Sequence, residues 1–199
     1  MSEGEWYRAL LEDRCTMEKV GNEKQFIKCR VELLYTNTDW DNVWHLVRLP
    51  GLGPDHISLL FKLTHQLLVT QERLARTNPA SSPICKVRGC TQPVVEDQCH
   101  ALVTCDGNNG AGHAVINCLR RLVPGLTNEA ALRLDVQLEE EMELPFVWFC
   151  AAAFQAIWEL RQGGHKVELY LIRSQIEAKI CLLRQTRFLN AVTTVCWTF

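Results

Sequence analysis

Residues 144–161 read LPFVWFCAAAFQAIWELR. The apolar run from 144 to 158 is fifteen residues long, with Gln155 inside it. That is too short to span a bilayer, so it predicts a helix buried in a protein core and no membrane partner. Pro145 fits the first turn of this helix, and Gly163 with Gly164 ends it at about Arg161. A chain organised around such an element is mainly α.

Both flanks agree with that reading. Downstream, a last helix is expected over about 166–189. Upstream, residues 126–143 are ambiguous. Leu132, Leu134, Val136 and Leu138 alternate with polar residues at a strand period, whereas the acidic run 139–141 favours a helix or exposed loop. A helix over about 113–122 stops before Pro124 and Gly125, and DGNNGAG (106–112) before it reads as a flexible turn. Over 56–76, Ile57, Leu60, Phe61, Thr64, Leu67, Leu68 and Leu74 keep the 3–4 spacing of a buried face, with Asp55 as cap. TNPASSP (77–83) is a loop. Asp39 or Asn42 can cap a short helix bearing Trp40, Trp44 and Val47, which Pro50, Gly51, Gly53 and Pro54 break. Residues 24–35 are helical or extended, and 5–14 form a short helix. Three segments follow, 1–39, 40–122 and 123–199, within one continuous domain.

Composition narrows the function classes. With 199 residues, 47% hydrophobic and 22% charged, the chain can bury a core of its own. A net charge of -2 and an isoelectric point of about 6.3 argue against a dedicated nucleic-acid coat, though not against a local basic face. Ten cysteines would suit a disulfide scaffold in a secreted chain. Residues 1–15 carry Glu3, Glu5, Arg8, Glu12, Asp13 and Arg14 and no apolar stretch, so no signal peptide is expected. The expected setting is an intracellular, reducing compartment, where cysteine clusters bind metal or sit buried.

One cluster carries chemistry. Residues 84–105, ICKVRGCTQPVVEDQCHALVTC, space Cys85, Cys90, His100 and Cys105 as C-x4-C-x9-H-x4-C. Three thiolates and an imidazole are the donor set of a tetrahedral Zn²⁺ site. Gly89 allows a tight turn beneath the metal, and Glu96 with Asp97 can begin a helical turn carrying His100. Cys105 lies five residues beyond His100, about 140° away around an ideal helix, so that helix must end or bend first. Cys99 competes with its neighbour, and His113 competes with His100. Cys15, Cys29, Cys118, Cys150, Cys181 and Cys196 are scattered in apolar stretches and read as small core side chains. The fold expectation becomes an irregular, mainly α domain with a small zinc-stabilised loop or hairpin in its middle.

The order of these features resembles the C-terminal region of LINE-type (non-LTR) retrotransposon reverse transcriptases. The likeness lies in DWDNVWHLVRLPGLGPDHISLLFKLTHQLLVTQERLAR (39–76), ICKVRGC (84–90) and VEDQCHALVTC (95–105), followed by 144–161 and LLRQTRF (182–188). It implies a zinc knuckle held by Cys85, Cys90, His100 and Cys105, lying downstream of a polymerase and assisting RNA or DNA handling. It also implies a piece of a larger polyprotein, with its polymerase region upstream, or a gene derived from one. The Cys–Cys interval and the gap to His are longer here than the family usually has.

No Asp-Asp pair, Gly-rich phosphate loop, G-x-S-x-G elbow or H-E-x-x-H helix occurs, so the chain reads as non-catalytic. A nucleic-acid face is expected at Arg73, Arg76, Lys86 and Arg88, which flank the knuckle. A weaker stripe runs through Lys166, Arg173, Arg184 and Arg187, interrupted by Glu177 and Ile180. The alternatives are a protein-interaction or scaffold module with structural zinc only, and a retrotransposon remnant without a cellular role.

Overall fold

The buried helix forms as expected but starts earlier. In the computed structural model, α6 runs Glu140–Gln162 and is buried on nearly every side: Phe146, Phe149, Cys150, Ala153, Phe154 and Ile157 are all 1% exposed or less. The described residues are 35–184 apart from 36, 79, 92 and 164–166, with only the backbone described for 179–184. The helices expected within 1–34 lie outside them, as do Lys166, Arg187 and the cysteines at 15, 29 and 196.

Six further helices are described: α1 Trp40–Val47, α2 Pro54–Thr64, α3 Gln71–Thr77, α4 Ala111–Leu122, α5 Asn128–Arg133 and α7 Leu169–Arg184. A π turn (His100–Thr104) and a 3-10 turn (Asp106–Asn108) sit between α3 and α4. The protein is therefore mainly α. Extended pairing among the described residues is limited to one antiparallel bridge between Ile84 and Val95. α6 packs against α2, α4 and α7 and touches the π turn, so a helix apolar all round has partners all round.

Several expected boundaries move. The helix expected over 56–76 is two. α2 ends at Thr64, where the Thr64 hydroxyl donates to the Phe61 carbonyl, and Gln66 turns left-handed at φ +53°. Thr70 then caps α3, its hydroxyl accepting from the Arg73 N–H. Leu67 and Leu68 stay buried although they lie in the connection, so the apolar period survives where the helix does not. Asp55 is not the cap of α2. Gly53 holds that position, and Pro54 opens the helix with Asp55 in its first turn.

The ambiguous 126–143 stretch holds α5 and then a linker. Leu132, Leu134 and Val136 are buried without any strand. Glu140, Glu141 and Glu143 occupy the first turn of α6, where the helix dipole favours carboxylates. Pro145 consequently lies inside α6, not in its first turn. Trp44 is part of the core packing: its ring lies 5.6 Å from Phe61 and 4.9 Å from His65.

Candidate metal centre and the cleft beside it

The chain between α3 and α4 folds back on itself. The Cys85 N–H donates to the Val94 carbonyl, and the Glu96 N–H donates to the Pro83 carbonyl. At the tip, the Cys90 N–H donates to the Val87 carbonyl at 3.0 Å, with Gly89 at φ +94° in the third position. That is the turn in which a residue other than glycine would be strained. After it, the Asp97 carboxylate accepts from the His100 N–H at 2.6 Å and starts the turn that carries His100.

The turn does not close as an α-helix. The Cys105 N–H donates to the His100 carbonyl five residues back, at 2.9 Å. This widened π turn cancels the angular offset of an ideal helix and returns Cys105 to the side of His100. Cys105 itself is extended, at φ -68° and ψ 121°. Gly112, at the start of α4, makes the crossing possible. A Cβ there would lie 2.2 Å from the Leu102 carbonyl oxygen and 2.5 Å from the Val103 Cα.

Cys85, Cys90, His100 and Cys105 thereby converge, with all four ligand atoms within 4.8 Å of one another. They form a possible metal-binding site. Cys85 Sγ lies 3.8 Å from Cys105 Sγ, and Cys90 Sγ lies 3.6 Å from His100 Nε2. The thiols are free, since a disulfide would need about 2.05 Å. His100 Nδ1 faces the Thr104 hydroxyl at 3.5 Å, which orients the ring. Cys99 and His113 are not in the group. Cys99 faces Asn128 and Glu129 of α5, and burial together with the Glu129 and Asp97 charges pushes its thiol up to about 11. His113 is exposed on α4.

The partner that sequence reading missed is Arg161. Its Nη2 donates to Glu96 Oε2 at 2.9 Å and reaches Cys85 Sγ at 3.8 Å, and its Nη1 donates to Asn108 Oδ1 at 2.9 Å. Both ion-pair side chains are sealed from solvent, at 4% and 7% exposure. Asn108, fully buried, passes the link on by donating from Nδ2 to the Ala101 carbonyl. The expected flexible turn at 106–112 is thus a wedge with a fixed polar side chain. Burial raises the Cys85 thiol, and the Val87 N–H and the Arg161 guanidinium draw it back by favouring the thiolate. For Arg161, burial opposes the charge, but hydrogen bonds to Cys105 and Cys85 and the Glu96 carboxylate more than compensate.

The basic patch is divided by the fold. Arg73 is buried, and its Nη1 donates to the Gln66 carbonyl at 3.2 Å, because α3 turns this face inward. Arg76 is exposed but ion-paired with Glu72. Lys86 and Arg88 remain exposed on the turn between Cys85 and Cys90. In the weaker stripe, Arg173 is held by Glu177 at 2.9 Å. Lys86 and Arg88 line a cleft of about 900 Å³ together with Trp158, Arg161 and Gln162 at the end of α6.

No family model, curated protein or solved structure matches this chain. Among the described residues, no helix is long and apolar enough to cross a membrane.

Proposed function

We propose that the protein is a non-catalytic zinc-binding module in which the metal fixes a loop that assists RNA or DNA binding. The observation that carries the zinc reading is the pair of distances within the cluster. A regular tetrahedron with Zn–S of 2.3 Å and Zn–N of 2.0–2.1 Å has S···S edges of about 3.8 Å and S···N edges of about 3.6 Å. The separations of 3.8 Å and 3.6 Å match two of the six edges, and the whole set spans no more than 4.8 Å. Four protein donors fill the coordination shell, which favours a structural ion over a catalytic one. Three thiols as ligands also suit a reducing compartment.

The RNA or DNA part of the reading is supported by Lys86 and Arg88 on that loop and by the sequence likeness to retrotransposon reverse transcriptase C-terminal regions. A polymerase region of the same polyprotein would then lie upstream. The scaffold reading has its own support, since Arg73 is buried against the Gln66 carbonyl and the exposed Arg76 is ion-paired with Glu72.

Elemental analysis of protein purified without chelator should give one zinc per chain. The double variant Cys85→Ser/Cys90→Ser should carry none, while Cys99→Ser and His113→Ala should keep it. Iron in place of zinc, or metal retained by the double variant, would overturn the assignment.

A further inference from the structure

We infer that the cleft beside the cluster receives a nucleotide unit, its phosphate at Lys86 and Arg88 and its base against Trp158. This deepens the nucleic-acid reading above and depends on the metal only for the fixed shape of the loop.

Two chemistries share the lining of the cleft. Lys86 and Arg88 are exposed and have no hydrogen-bond or ion-pair partner among the described residues. The backbone that carries them is set: the turn is closed by the Val87 carbonyl, and Val87 rests so near Gly107 that a Cβ there would sit 2.6 Å from Val87 Cγ1. Two cations carried on a fixed turn bind an anion at a lower ordering cost than two on a mobile one. Trp158 lines the same cleft, half-buried, with neither a stacked ring nor a hydrogen bond among the described residues. An indole face is a platform for a planar base. Glu96, which also lines the cleft, is already neutralised by Arg161 and does not repel an incoming phosphate. The volume of about 900 Å³ falls within the range of small-ligand sites and admits a nucleotide with its neighbours. An acidic peptide would satisfy the two cations but leave the indole without a use. A nucleotide uses both features.

The test uses the full zinc-loaded chain and three probes: a labelled ten-residue oligothymidylate, adenosine monophosphate and oligoglutamate. The oligonucleotide should bind with salt-sensitive affinity. Lys86→Gln/Arg88→Gln should reduce the log–log salt slope by about 0.7, the one single-strand phosphate that the two cations share. Trp158→Ala should weaken binding at least about fivefold, and Trp158→Phe should restore most of it. All these variants should keep their zinc. Competition by adenosine monophosphate would place a free nucleotide among the ligands, and its failure alongside oligonucleotide binding would restrict the site to strands. The inference is overturned if neither nucleotide probe binds, if Trp158→Ala binds as wild type does, or if oligoglutamate matches the oligonucleotide. Absence of zinc with the Trp158 and salt effects intact would overturn the metal reading and leave this one standing.

Discussion

Arg161 shows how far one side chain can govern a site to which it contributes no ligand. It joins the Glu96 carboxylate, the Asn108 amide and the Cys85 sulfur in one buried network. Replacing it by methionine would strand the Glu96 charge away from water, at a cost of about 3–5 kcal/mol. We therefore predict that Arg161→Met lowers stability in urea by that amount, and that Arg161→Met/Glu96→Gln recovers much of it. Equal stability of the single variant and the parent would show the pair to be idle. The four cluster residues were legible in the sequence because ligand chemistry restricts the residue types and short spacing restricts the geometry. Arg161 was not, because an arginine closing an apolar helix reads as its solvated end. A signal was present: Arg161 falls seven residues after Phe154 and four after Ile157, on the buried stripe. Glu96 was read as a helix start and Asn108 as part of a turn, since local sequence cannot show a partner 65 or 53 residues away.

At the scale of elements, the mainly α architecture followed from periodicity, and the boundaries did not. The apolar spacing over 56–76 marks burial, which continues through Leu67 and Leu68 after α2 has ended. What splits the helix is local polar chemistry at Thr64 and Thr70, which competes with backbone hydrogen bonding. The requirement that the helix bend before Cys105 is met by the π turn, whose room depends on Gly112. Gly112→Ala should cost about 1–3 kcal/mol, because its methyl would push against the backbone of residues 102 and 103. The same push displaces the segment holding His100 and Cys105, so metal affinity should fall too. Urea denaturation and competition with a chromophoric chelator measure the two effects. Unchanged affinity would mean that the strain relaxes toward α4 instead.

For the molecule as a whole, the apolar core and the cluster are two separate sources of order. The core is built by α2, α4, α6 and α7, while residues 84–105 contribute few large apolar side chains beyond the π turn. Chelation should therefore loosen the loop and spare most of the helical circular dichroism signal, and a complete collapse of that signal would show the core to depend on metal. One tie between the two is the last turn of α6, which holds Arg161 against Cys85. When metal occupies the cluster, that tether tightens, and the amide protons of residues 158–162 should exchange with solvent deuterium more slowly. A helix that supplies no ligand would then record, in its rate of isotope uptake, whether the ion is present.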